Sequence, residues 1–81
     1  MTSQEARRAA EAARGANGIP PDANLGTMEQ RYIELSLDDP SKPGPVRDLL
    51  VWAVRFVWGN SWVELAINDA DGKVVRVLRS R

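Results

Sequence analysis

The stretch from Leu49 to Asn68, LLVWAVRFVWGNSWVELAIN, decides the fold, because it can form either a helix followed by a strand or a β-hairpin. A helix over residues 46–58 would begin after Pro45 and end at Gly59, which are favoured residues at those positions. Such a helix would be apolar on nearly every side and would need burial on most of them. A few short strands cannot supply that burial, so the hairpin is the favoured interpretation.

The hairpin has a well-defined register. Gly59-Asn60 is typical of a two-residue II′ turn between two strands. The resulting pairs are Trp58–Ser61, Val57–Trp62, Phe56–Val63, Arg55–Glu64, Val54–Leu65 and Trp52–Ile67. One face is then entirely apolar, while the only two charges of the stretch lie opposite each other on the other face. A shift by one residue would destroy both features.

Two further strands flank this hairpin. Ile33, Leu35 and Leu37 alternate with polar or amphipathic residues, which indicates a half-buried strand. The sequence DADG, residues 69–72, predicts a turn with a left-handed glycine, which would place Val75 opposite Ile67 and Val77 opposite Leu65. We therefore predict a small α+β protein with an antiparallel meander of three to four strands, near residues 30–37, 50–58, 61–68 and 73–79. The alternative is a βαββ fold in which residues 46–58 form a helix on a three-stranded sheet.

The N-terminal part differs in composition. Thr2 and Glu5 have the spacing of a capping box, and a helix-favouring run of Ala, Arg and Glu follows. Its only apolar side chains from Ala6 to Ala13 are alanines, which bury little area, so we expect a loosely attached helix or arm. Residues 15–28 are rich in Gly, Asn and Pro, a linker composition. The sequence thus predicts an arm and linker over 1–27 and a sheet domain over 28–81.

Composition argues against several kinds of chemistry. The 81 residues include no cysteine and no histidine, which removes disulfides, thiolate metal sites and the commonest general base. The glycines form no phosphate-binding pattern, and no base lies near a candidate nucleophile. We therefore expect a protein that is not an enzyme and that uses no cofactor or metal. The longest apolar run, Leu49 to Trp58, is about half the length of a membrane helix, and we expect a cytoplasmic protein.

The face of the hairpin that carries the Arg55–Glu64 pair predicts a function. Four apolar residues surround this pair: Val57, Trp62, Val74 and Leu78. This face is too apolar to be simply a solvated surface. We expect it to contact a protein, either an identical copy in a homodimer or a partner to which this chain is an accessory subunit, with Arg55 and Glu64 setting the orientation. The alternative is that the sheet closes into a small barrel and buries both faces itself.

A second functional hypothesis rests on the C-terminal strand. It is basic, with Lys73, Arg76, Arg79 and Arg81. Basic strands combined with aromatic residues can bind single-stranded nucleic acid by phosphate contact and stacking. The alternation of a strand, however, puts Arg76 and Arg79 on opposite faces. The same charges can instead protect an edge strand from aggregation, so nucleic-acid binding is the alternative function rather than the preferred one.

Overall fold

A computed structural model of the chain describes residues 1–36 and 46–80. It contains one helix and a short 3-10 turn, Gly15–Asn17, before a single sheet. The elements are α1 (Ser3–Ala13), β1 (Asn24–Ser36), β2 (Val46–Trp58), β3 (Ser61–Asn68) and β4 (Val74–Arg79). All neighbouring strands are antiparallel, in the order β1-β2-β3-β4. The predicted α+β fold with an antiparallel meander is confirmed.

The β2–β3 hairpin has the predicted register. Val57 lies opposite Trp62 and Arg55 opposite Glu64, and the remaining pairs also agree with the prediction. Gly59 has φ of 54°, the positive value that a II′ turn requires at its first central position. The βαββ alternative is wrong, because residues 46–58 form a strand. Their β-branched and aromatic side chains fit a pleated surface between two neighbouring strands.

The β3–β4 pairing differs from the prediction at one point. Ile67 lies opposite Val74 rather than Val75, and a β-bulge follows before Ala66 pairs with Arg76. The turn closes more tightly than expected, because the amide of Asn68 donates to the carbonyl of Lys73 over 2.8 Å. The bulge then absorbs one extra residue and restores the predicted register. Val74 consequently packs against the core beside α1, whereas Val75 packs on the opposite face.

The N-terminal helix is packed more closely than its composition suggested. The capping box forms as predicted, with the Glu5 amide donating to the Thr2 hydroxyl over 3.1 Å and the Glu5 carboxylate accepting from the Thr2 amide over 2.8 Å. Ala6 and Ala10 are completely buried, and α1 contacts β2 and β3. The predicted N-terminal helix is therefore present, and it packs on the sheet through its alanines. Alanine lets the helix backbone approach the sheet, so the area buried belongs mainly to the larger side chains of the strands.

The predicted linker joins the same core. Ile19 and Ala23 are buried in the main hydrophobic cluster, and β1 begins at Asn24 rather than near residue 30. The boundary predicted between residues 27 and 28 therefore lies inside a strand. The two parts of the chain share one core.

The core lies between α1 and one face of the sheet. Its buried residues are Ala10, Ile19, Ala23, Val54, Phe56, Val63, Leu65 and Ile67. A smaller cluster of Ile33, Val51 and Ala66 lies on the other face, with Leu49 and Val75 packed against it. The sheet is open rather than barrel-shaped within the described residues, since β1 and β4 form its two edges. The helix that the structure describes is too short and too polar to cross a membrane.

Candidate interaction face

We call the side of the sheet opposite α1 the open face. It brings together five of the six residues predicted to form the interaction surface: Arg55, Val57, Trp62, Glu64 and Leu78. Arg55, Glu64 and Leu78 lie side by side on β2, β3 and β4, and Val57 and Trp62 form the next pair toward the hairpin turn. Val74, the sixth, is a correction, because the bulge in β4 turns it toward the helix.

A buried carboxylate lies at the centre of the open face. Glu64 is only 5% exposed, and its Oε1 lies 3.4 Å from Nη2 of Arg55 and 3.6 Å from Nη2 of Arg31. Arg31 also pairs with Glu29, two residues earlier on β1. A buried charge needs such partners, because an unpaired one is costly. The two arginines therefore hold the side chain of Glu64 in place.

Trp62 is the main aromatic group of this face. The guanidinium carbon of Arg55 lies 4.1 Å from the centroid of its ring, within the range of a cation–π interaction. Because Glu64 fixes Arg55 and Arg55 stacks on the indole, the orientation of Trp62 is set before any partner binds. Trp62 and Val57 are half-buried, and Leu78 is 40% exposed. The open face thus presents an ordered apolar patch beside a network of charges.

Sequence reasoning missed Arg31 as a member of this site. Its position on β1 places it opposite Val51 of β2 and on the same face as Glu64. The sequence pattern between the two strands did not define the register in which β1 and β2 pair. The alternation of polar and apolar residues along β1 indicates which side chains share a face of that strand. It does not indicate which residue of β2 lies opposite Arg31.

The basic residues proposed for nucleic-acid binding do not form one surface. Arg76 lies opposite Ala66 on the open face, whereas Arg79 lies opposite Val63 on the helix side. Lys73 belongs to the connection before β4, and Arg81 lies outside the described residues. Instead, the tertiary structure places Arg76 on the same face as Arg31 and Arg55. With Glu29 and Glu64, these three arginines give the described side chains of the open face an excess of one positive charge.

A second polar contact secures the β3–β4 turn on the helix side of the sheet. Oδ1 of Asp69 accepts hydrogen bonds from Nε1 of Trp52 over 2.9 Å and from Nε2 of Gln30 over 3.3 Å. It also lies 3.5 Å from the amino group of Met1. The pKa of Asp69 lies below its ordinary value, mainly because its carboxylate accepts the hydrogen bond from Trp52. The predicted placement of Trp52 toward the core is confirmed.

Known proteins do not supply a function for this arrangement. Comparison with protein-family models, curated proteins and solved structures finds no match. Within residues 1–36 and 46–80 there is no pocket and no group of three or more side chains suited to hold a metal. The candidate site in these residues is therefore the surface of the open face rather than a cavity.

Proposed function

We propose that this chain is a non-enzymatic protein–protein interaction module that associates with a second copy of itself through the open face. The observation that carries this proposal is the half-buried Trp62, held in place by Arg55 on a sheet face that no described element covers. A few buried aromatic side chains, held in place before binding, commonly supply most of the binding energy of a protein–protein contact.

The layout of the open face supports an identical copy as the partner. Apolar side chains lie at both ends of the face, with Val57 and Trp62 near the hairpin turn and Leu49 and Val75 at the other end. The charged residues lie between them. In an antiparallel, two-fold arrangement each apolar end would meet the opposite apolar end of the other copy, which is the self-complementarity that such a contact needs. The chain carries no net charge, so two copies do not repel each other at long range.

Replacing Trp62 by alanine tests this contact. We expect the free energy of association to weaken by at least ~2 kcal/mol, because the main aromatic anchor of the contact would be lost. Sedimentation equilibrium measures the association, and circular dichroism checks that the variant is folded. Trp58→Ala removes the same side chain from the helix side of the sheet and should leave association unchanged. If Trp62→Ala alters neither association nor fold, the open face is not the contact.

Single-stranded nucleic-acid binding is the alternative function. Arg31, Arg55 and Arg76 on the face that carries Trp62 favour it, whereas the carboxylates of Glu29 and Glu64 oppose a phosphate backbone. If this function is correct, the affinity for single strands should fall steeply with salt and should be lost when Arg31 and Arg76 are replaced.

Location in the cytoplasm is likewise proposed from the sequence, and cell fractionation tests it.

A further inference from the structure

The outer edge of β1 is the second surface that can join copies of this chain. β1 is the first strand of the sheet and hydrogen-bonds only to β2 within the described residues. It is 13 residues long, which is more than twice the six residues of the opposite edge, β4. A long edge strand presents a row of backbone donors and acceptors that another strand can pair with.

Side chains on β1 alternate between the two sides of the sheet. Met28 contacts the core beside α1, which puts Met28, Gln30 and Tyr32 on the helix side. Arg31 reaches Glu64, so Glu29 and Arg31 lie on the open face. Tyr32 is 71% exposed, and the next most exposed large apolar side chain in the described residues, Leu78, is 40% exposed. Within residues 1–36 and 46–80 the outer edge of β1 is therefore not uniformly polar, and no other strand pairs with it.

We propose that β1 pairs with β1 of a second copy, antiparallel about a two-fold axis at Gln30, to form one continuous eight-stranded sheet. The charges on the strand carry this inference. With the axis at Gln30, Glu29 lies opposite Arg31 of the partner subunit, and Arg31 lies opposite Glu29 of the partner subunit. Opposite charges that face each other across neighbouring strands stabilise the pairing.

Neighbouring registers are unfavourable. An axis at Glu29 would place this carboxylate directly opposite the same carboxylate of the other copy, and an axis at Arg31 would do the same with two guanidinium groups. Like charges in that position destabilise a sheet. A shift of the pairing by one residue would bring side chains from opposite faces together, which the alternation of a strand does not allow. Charges on an edge strand normally prevent unrelated strands from pairing with it. Here the charges of β1 are complementary to those of an identical strand when the two-fold axis lies at Gln30.

The same axis gives Tyr32 a contact that it lacks in the single chain. Position 32 lies opposite the partner's Met28, and both side chains are on the helix side of the sheet. The exposed phenol ring would cover a thioether that is only partly buried in its own subunit. By the two-fold symmetry this contact occurs twice. Charge on one face and apolar packing on the other therefore favour the same register.

The edge contact is separate from the open face and does not depend on it. An edge dimer keeps both open faces on one side of the joined sheet, where they remain accessible. If both contacts form, two edge dimers can pack through their open faces into a closed tetramer with three perpendicular two-fold axes. Variants at Gln30 disturb only the edge, whereas Trp62→Ala disturbs only the open face, so the two proposals can fail independently.

Gln30→Lys tests the axis in the full chain by sedimentation equilibrium. It would place two ammonium groups opposite each other at the edge, and we expect association through this edge to weaken about tenfold or more. The fold should persist, because in the single chain position 30 lies beside Asp69, as shown by the 3.3 Å hydrogen bond from Nε2, where a positive charge is favourable. Tyr32→Ala should also weaken the edge contact. Glu34→Lys, on the same strand and the same side, faces no charged residue in this register and should leave association unchanged.

Cysteine cross-linking tests the register directly, since the chain has no cysteine of its own. In the proposed dimer the two copies of position 30 have Cβ atoms about 5 Å apart, whereas the two copies of position 34 are about 27 Å apart along the strands. Gln30→Cys should therefore form a disulfide-linked dimer under mild oxidation, and Glu34→Cys should not. Equal cross-linking of the two variants, or association of Gln30→Lys as tight as that of the unmodified chain, would overturn the edge proposal. A chain that sediments as a monomer at high micromolar concentration would overturn it as well.

Discussion

Arg14 shows how one side chain can attach a whole segment to the sheet. Its Nη2 donates to the carbonyl oxygens of Pro20 and Ala23, each over 2.9 Å. Its guanidinium carbon lies 4.9 Å from the centroid of the Phe56 ring, and its Nη1 pairs with Glu11 over 2.7 Å. Arg14 therefore joins the end of α1, the proline-containing segment and the core.

Replacing Arg14 by alanine should lower the free energy of unfolding by about 2–3 kcal/mol, because partly buried carbonyl groups would lose a charged donor. Arg14→Lys should recover only part of this loss, since an ammonium group cannot reproduce the planar set of donors or the stacking on an aromatic ring. Urea denaturation measures both. Arg7→Ala, at an exposed position of the same helix, is the control and should change stability by less than about 0.5 kcal/mol. Equal stability of Arg14→Ala and Arg7→Ala would show that Arg14 does not have this role.

At the scale of elements, α1 depends on small side chains rather than large ones. Ala6 and Ala10 lie one turn apart and have no exposed surface. Helical residues four positions apart share a face, so these alanines define the side of α1 that contacts the sheet. The helix acts as a cover whose close approach excludes water from the larger side chains of β2 and β3.

Enlarging this contact should therefore destabilise the protein. We expect Ala10→Leu to lower the free energy of unfolding by about 1–3 kcal/mol, because the added atoms would push the helix away from the sheet. Ala12→Leu makes the same substitution at an exposed position and should have an effect below about 0.5 kcal/mol. Thermal unfolding followed by circular dichroism compares the two variants. A loss no larger for Ala10→Leu than for Ala12→Leu would contradict the packed position of α1.

At the scale of the whole molecule, helix and sheet form two layers around one core. Phe56 and Leu65 are fully buried, in the cluster that also includes Ala10 of α1 and Ile19 and Ala23 of the following segment. A chain of 81 residues has little stability to spare, because small domains bury a modest fraction of their surface. The sheet cannot be separated from the residues that cover it.

Removal of residues 1–23 should therefore abolish cooperative folding. The remaining chain would have water on both faces of the sheet, with the side chains of the main core exposed. We expect no sharp thermal transition from residues 24–81 and strong binding of a hydrophobic dye, whereas the full chain should show one transition and little dye binding. A cooperative transition of the shortened chain at nearly the same temperature would mean that the sheet is stable alone.

Local features of the sequence determined the central hairpin. Gly59-Asn60 defines a two-residue turn, and a two-residue turn fixes the register of the strands on both sides of it. The alternation around Arg55 and Glu64 then separates the two faces, so the sequence pattern predicts most of the residues of the open face. These features involve residues close in sequence, so their physical causes can be read directly from the pattern.

The tertiary structure alone decided the features that depend on distant contacts. The alanines of α1 became a cover because of the sheet beneath them, and Arg31 joined Glu64 because β1 and β2 pair in a register that the sequence pattern did not define. The bulge in β4 moved Val74 to the helix side by a single extra residue, too small a change for the alternating pattern to reveal. For α1 and Arg31 the deciding contact lies between segments far apart in sequence, where packing volume and pairing register, rather than local propensity, determine the arrangement. The bulge in β4 follows instead from the hydrogen bond between Asn68 and Lys73, which closes the turn one residue more tightly than the pattern predicted.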